Sequence, residues 1–551
     1  FEREGAQGQR QLAILRLLGL FDRPVSKSCL DALRKRPAIA GLTVPLVALE
    51  SREVTAVKHR LEDIQLLTVQ ADGSLDAHPL LRAYFGQRLR DGQPDAWRAA
   101  HRRIYEHLCT TTPDKPDATL EDLQPLYQAV AHACHARMQQ DACNDVYRDR
   151  IQRGREAYAS RKLGAFGSDL GAVACFFESP WSRVSPALTD AAQAFLLSQA
   201  SFRLRALGRL NEALEPMRAG LKATERLKDW ENAAIDTGNL SDLQLTLGDV
   251  AGAVGYADRS VTYADRSGDA FQRTGKRAAL ANALHHLGRQ EEADARFSEA
   301  EQMQAERQPY YPLLYSLQGF QYCDLLVSEV EREAAKAEGE RHKDEHLAAC
   351  RAVEKRATQT LNWAEQNNSP LLDMALNHLT MGRAALYAAI LESRRAQREL
   401  GQIFPSATSE ESQRVFATAA TELDHAVSGL RRAGQQDHLP RGLLARAWLR
   451  SLTGARTGAE SAQRDLDEAW EIAERGPMPL HLADIHLYRA RLFFREATYP
   501  WESPQHDLAE ARRLIFKHGY LRRKEELEDA EAALKQFVDA AARTAQPPSA
   551  V

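Results

Sequence analysis

The chain repeats itself at a fixed interval. Leu207-Gly208-Arg209-Leu210-Asn211-Glu212-Ala213, Leu247-Gly248-Asp249-Val250-Ala251-Gly252-Ala253 and Leu287-Gly288-Arg289-Gln290-Glu291-Glu292-Ala293 place their glycines 40 residues apart, and an Ala follows each Gly by five. A period of this size marks a stack of supersecondary units, because one unit alone cannot bury its apolar face and its neighbours must do so. Gly after Leu ends a helix through the left-handed cap that only Gly enters cheaply. Seven residues before each Gly lies a small residue (Ser201, Ser241, Ala281), and twelve after it lies another (Gly220, Ser260, Ala300). Small residues at matched points let two antiparallel helices approach closely. Leu204, Leu284, Met217 and Phe297 fill the space between them.

This frame resembles the tetratricopeptide (TPR) helical hairpin, with a step longer than that family's period of about 34. Leu379 to Leu386, Leu443 to Leu449 with Gly454, and Leu482 to Ala490 with Leu508 and Ala511 read as further hairpins. Pro312, Pro370, Pro440 and Pro479 stand just before helices, where a missing N–H costs little. About six or seven hairpins span 186–540, enough to bury a continuous core. The expected fold class is all-α: a TPR-like α-solenoid preceded by a small winged-helix domain.

Residues 1–95 lack the repeat. Gln11 to Phe21, Lys27 to Arg36 and Val54 to Ile64 read as helices. Gln65 to Gln70 and Leu75 to Ala77 read as strands around an Asp72-Gly73 turn, and Leu80 to Leu89 as a closing helix. Three helices, a hairpin and a helix suggest a winged helix. Residues 96–185 read as bridging helices, with Leu120 to Leu126 and Ala129 to Cys134 as one pair and Tyr147 to Tyr158 and Leu163 to Phe177 as another. The Glu/Lys/Arg-dense stretch 331–360 reads as a solvated helix or loop, and 541–551 as a disordered tail.

Composition narrows the function. Net charge is −4 over 551 residues, so the broad basic footprint of a nucleic-acid binder is missing. Arg34-Lys35-Arg36 and Lys58-His59-Arg60 are only local basic clusters. Seven cysteines without a Cys-x-x-Cys pair point to reduced, cytoplasmic usage. No apolar run of membrane length occurs. Phe1-Glu2-Arg3-Glu4 reads as the middle of a longer protein.

Ala77-His78-Pro79-Leu80-Leu81 resembles the Met-His-Asp-Leu-Leu motif in the winged helix of the STAND NTPases, which include NACHT and NB-ARC proteins; Ala77 and Pro79 stand where that motif has Met and Asp. Leu314 to Leu326, His438 to Arg446 and Asp465 to Gly476 resemble blocks of the TPR arrays on such bacterial proteins. The resemblance implies a sensor and switch. His78 would contact ADP, but only together with an ATPase core that this sequence lacks, and ATP/ADP and Mg would belong to the whole protein. The array would bind a protein or peptide trigger, in antiphage defence for example, and the whole protein would oligomerise.

Nothing reads as a catalytic centre. The nearest approach to a phosphate loop, Ala270 to Arg277, lacks the first Gly and the final Ser or Thr and falls inside a repeat helix. His132, Cys134, His135 and Cys143 do not share one helix face at zinc spacing, and His285-His286 and His481/His486 lack a His-Glu-x-x-His frame. These read as core or partly buried residues, and no metal or cofactor site is expected in this chain.

The inner face of the array is the expected partner groove. Counting back from each cap Gly, it carries Phe195, Phe202 and Arg205, then Asp242 and Leu245, then Asn282 and His285. An aromatic, an Arg, an Asp, an Asn and a His along one face suit peptide recognition, although Phe195, Phe202 and Leu245 could equally pack between repeats. Two alternatives stay open: a TPR-bearing transcription regulator whose winged helix touches DNA, and a scaffold without a switch. Neither membrane nor nucleic acid is the expected partner.

Overall fold

The computed structural model describes residues 1, 4–336, 343–400 and 414–545. They divide into two compact units, one of residues 1–160 and 168–193 and one of 161–167 and 194–545.

In the first unit, helices Gly5–Leu18, Lys27–Arg34 and Ser51–Asp63 precede a two-stranded antiparallel ribbon, β1 (Thr68–Val69) and β2 (Leu75–Asp76), which pairs Thr68 with Asp76 and Val69 with Leu75. Ser26 caps the second helix by accepting from the Cys29 N–H at 3.2 Å. The ribbon turns at Gly73, where φ is +80°, and the Asp72 carboxylate accepts the Ser74 N–H at 2.9 Å. Val25 pairs with Leu75 in an isolated antiparallel bridge. Leu17, Leu33, Leu61 and Leu75 are fully buried between these elements. Helix Pro79–Gly92 crosses the first helix at Gly19 and Gly86, where a Cβ on Gly19 would lie 2.4 Å from the Gly86 nitrogen.

Residues 94–160 and 168–193 pack into this same unit. Leu120 to His135 is one helix, not the expected pair, although Pro125 lies inside it. A capping box between Thr119 and Asp122 starts the helix, and Leu123, Leu126, Tyr127 and Val130 continue one buried stripe past the proline. Ala142–Ile151 is wound as a π-helix. A second ribbon, β3 (Phe177–Ser179) with β4 (Arg183–Val184), stands where the sequence suggested only helix.

The second unit is the repeat array, a stack of helical hairpins with almost no strand. Among the described residues there are seven hairpins and a closing helix. The first three are Asp190–Ala206 with Leu210–Leu227, Trp230–Thr246 with Val250–Ser267, and Ala270–His286 with Gln290–Arg307. The next is broken at Val327: Ser316–Leu326 and Ser328–Ala335 pair with Lys343–Gln366. Then come Leu371–Leu400 with Ala417–Ala433, Leu439–Leu452 with Ala462–Arg475, Pro479–Phe493 with Pro504–His518, and finally Lys524–Ala545.

The cap glycines behave as their spacing requires: Gly208, Gly248 and Gly288 sit at φ +74°, +86° and +83°. Asp229, Asp249 and Asp269 cap the helices that follow them by accepting N–H bonds from Asn232, Gly252 and Gln272. Ser201, Ser241, Ala281, Ser260 and Ala300 are all buried where the arms of each hairpin touch. The Ser241 hydroxyl donates to the Ala253 carbonyl of the facing helix at 2.8 Å.

Two expectations need correction. The stretch 331–360 is not a wet face throughout, because Glu331 is only 1% exposed; residues 337–342 lie outside the described residues. Residues 541–545 continue the last helix rather than starting a disordered tail, and 546–551 lie outside the described residues.

Candidate functional site

The inner wall of the array is built by the first arms of its hairpins, and in the first three it carries the positions that periodicity singled out. The structure does not leave that wall open. Arg205, Leu245, Asn282 and His285 are buried, while Phe195, Phe202 and Asp242 are half-buried. The expectation of an exposed groove at these residues is therefore corrected. The reason is tertiary: within this unit, the last hairpins fold back over the inner wall of the first ones.

Backbone contacts mark the closure. The Gln436 N–H donates to the Ala206 carbonyl at 2.8 Å, and the His518 ring lies 2.9 Å from the Gly248 carbonyl oxygen. A Cβ on Gly248 would lie 2.5 Å from Pro479.

Charge completes it. The Arg205 guanidinium pairs with Asp242 of the next hairpin at 3.3 Å and with Asp437 at 2.9 Å. Burial pushes the Asp437 carboxyl up, but His438 and Arg205 outweigh it and hold Asp437 below its usual value. The His481 ring reaches the Asp437 carbonyl oxygen at 3.0 Å. Arg205, Asp242, Leu245 and Asn282 thus meet Asp437, His438, Arg441, His481 and Tyr520 around a polar cavity of about 60 Å³. Five buried polar atoms in this region accept or donate no protein hydrogen bond: Asn282 Oδ1, His285 Nδ1, Asp437 Oδ1, His438 Nδ1 and His481 Nδ1. A cavity of this size holds a few waters or one small polar group. Burial keeps the His285 and His286 rings well below the ordinary histidine value and holds His481 at about 4. These rings are therefore neutral near pH 7 and can serve as hydrogen-bonding groups without adding charge.

Beside it lies a denser charge network that the sequence reading missed. Asp324 binds Arg383 at 2.7 Å and Arg522 at 2.6 Å. Glu331 binds Arg383 at 2.9 Å, Arg523 at 3.2 Å and the Tyr488 hydroxyl at 2.9 Å. Arg523 continues to Asp484 at 2.9 Å and to Glu526 at 2.5 Å. Burial raises the Asp324 carboxyl, yet Arg522, Arg383 and Arg441 hold it well below the usual carboxylate range. Glu331 is likewise raised by burial, and Arg523 and Arg383 outweigh that to bring it to about 2. Both acids are ionised and paired. A sequence signal existed for the first of them: Asp324 is the one charged residue of helix Ser316–Leu326, where a charge is kept only with a partner.

Remaining candidates fall elsewhere. His78 is exposed at the N-cap of helix Pro79–Gly92, and its ring accepts the Leu80 N–H at 3.3 Å. His132 meets His101, not a cysteine, with their Nδ1 atoms 2.7 Å apart. One ring therefore donates and the other accepts, and burial lowers His132 to about 3. Ala270 to Arg277 lies within helix Ala270–His286. Among the described residues, no helix is long and apolar enough to cross a membrane.

No protein-family profile matches this sequence, and no curated protein does. Among solved structures, the chain is similar to a Signal Transduction ATPase with Numerous Domains (STAND) protein with a tetratricopeptide repeat sensor from Pyrococcus horikoshii. The two share 13% identity with a TM-score of 0.30, over 95% of this chain and 65% of that one. The chain thus spans slightly less than two thirds of that protein's length.

Proposed function

We propose that this chain is the sensing and regulatory part of a STAND-type signalling NTPase, with the array receiving a protein or peptide trigger. The observation that carries the reading is the inner wall. A TPR-type wall bearing Arg205, Asp242 and Asn282 is held shut by Asp437, so a partner that offers its own carboxylates or amides can exchange for the internal ones. Closure stores the trigger-free state, and opening is the signal. Residues 1–95 are then a winged helix that relays the signal, with the exposed ring of His78 available to ADP on an adjoining ATPase core. ATP or ADP with Mg²⁺ belongs to that core, and oligomerisation, in defence or otherwise, to the whole protein. The chain itself does no chemistry on this reading, and its place is the cytoplasm.

The test uses the complete polypeptide that carries this chain. Nucleotide content and ATP turnover are measured for the native protein, for Arg205→Ala and for His78→Ala. Co-purified ADP that both variants lose, with turnover raised at least tenfold, is the expected result. A protein that holds no nucleotide, or variants that behave as native, defeats the reading. Salt-sensitive DNA binding by the 551-residue chain would favour a transcription regulator instead.

A further inference from the structure

Helices Leu371–Leu400 and Ala417–Ala433 bring together three groups that lie 44 and 47 residues apart in sequence and that no motif connects. His378 Nδ1 lies 2.7 Å from Glu422 Oε2. The His378 and His425 rings stand edge to face, with centroids 5.1 Å apart. One ligand atom from each of His378, Glu422 and His425 can be chosen so that all lie within 4.8 Å of one another. Glu422 and His425 are three residues apart on one helix and so share a face. His378 and Glu422 are partly covered, whereas His425 is exposed.

The backbones behind these groups are pinned on both sides. A Cβ on Gly382 would lie 2.8 Å from the Leu423 side chain, and one on Gly429 would lie 2.9 Å from the Ala375 Cβ. The helices therefore already touch at these two points, and only side-chain rotation is left to complete a coordination shell.

We propose that His378, Glu422 and His425 bind one divalent transition-metal ion of the zinc class, with solvent at the open position. Two imidazoles and a carboxylate are a borderline donor set that suits Zn²⁺ or Co²⁺ and serves Mg²⁺ and Ca²⁺ poorly. Tetrahedral bonds of about 2.0–2.1 Å put ligand atoms about 3.3 Å apart, so the 2.7 Å contact of His378 with Glu422 must open by about 0.6 Å while the wider pairs, within 4.8 Å, close. The ion ties the two arms of one hairpin together.

The 551-residue chain, stripped by chelator, is titrated calorimetrically with Zn²⁺ and spectroscopically with Co²⁺. One ion per chain is expected, with visible Co²⁺ bands of tetrahedral intensity and no thiolate charge-transfer band. His425→Ala and Glu422→Gln should each weaken binding at least tenfold with helicity by circular dichroism unchanged, and His506→Ala should not alter it. Zn²⁺ should raise the melting temperature of the native chain but not that of His425→Ala. Binding that is insensitive to both ligand variants, absent below millimolar Zn²⁺, or matched by Mg²⁺ or Ca²⁺, overturns the proposal.

Discussion

The first three hairpins and the later ones share an architecture but solve the inner wall differently. Up to Arg307 small and apolar side chains pack the hairpin seams and the wall carries one ion pair of its own, Arg205 with Asp242, while the buried Asp236 carboxyl has the hydroxyl partners Ser198 and Thr224. Burial pushes Asp236 up to about 6 against hydrogen bonds from Ser198 and Thr224 and the charge of Lys276. Beyond residue 315 the wall is built on Asp324, Glu331, Arg383, Asp484, Arg522 and Arg523, and the Asp324 and Glu331 carboxyls are held down instead. The front half relies mainly on regular packing with one buried guanidinium, Arg205, and the later half on a connected network of paired charges. The repeat is regular where packing alone suffices and drifts where charge specifies the contacts.

The largest test of this contrast is Arg383→Ala. It leaves Asp324 and Glu331 buried with one guanidinium fewer, and a buried pair broken in this way costs about 3–5 kcal/mol. Arg289→Ala, which breaks an exposed pair with Glu292, should cost under about 1 kcal/mol. Urea unfolding of both variants checks the difference.

Acid should act on the halves with opposite sign. Glu331 falls from 4.5 unfolded to about 2 folded, so its contribution, on the order of 3 kcal/mol, is present above pH 4.5 and lost as pH falls towards 2. Asp236 rises from 3.8 to about 6, so its contribution is present below pH 3.8 and lost as pH rises through 6. Hydrogen exchange, corrected for intrinsic rates, should show Trp230–Thr246 gaining protection between pH 6 and 4 and the helix around Arg383 losing it below about 4. Parallel pH profiles would erase the contrast.

Packing in the front half predicts a smaller effect. Ala281→Leu forces three more carbons into the small-residue seam of the third hairpin and should cost about 1–3 kcal/mol. The smallest effect is at a cap. Asp249→Ala removes the acceptor for the Gly252 N–H and should cost about 1 kcal/mol by the same urea measurement.

Much of the front half was legible in the sequence because its information is local. Gly248 needs a left-handed backbone, Asp249 caps the helix that follows, and Ser241 sits one hairpin seam from Ala253; each relation spans a dozen residues or fewer. The inner-wall positions were legible as a face, but their exposure was not. Arg205 is covered by Asp437, 232 residues away. Glu331 looked like one of many surface acids in a charge run, and only Arg383 and Arg523 distinguish it. The segment 120–134 differed in the other direction: it reads as two helices in the sequence, yet one buried stripe runs through Leu123, Leu126, Tyr127 and Val130 of a single helix.

The amino-acid pattern by itself determined a stack of capped helical hairpins, their pairing and their period, since those follow from backbone preference and near-neighbour packing. Only the tertiary structure decided that the inner wall is closed, which charges are buried there, and that His378 meets Glu422 and His425. The first two outcomes depend on where a curved array returns upon itself, which small rotations accumulated over several hairpins set, and the third on how the two arms of one hairpin pack.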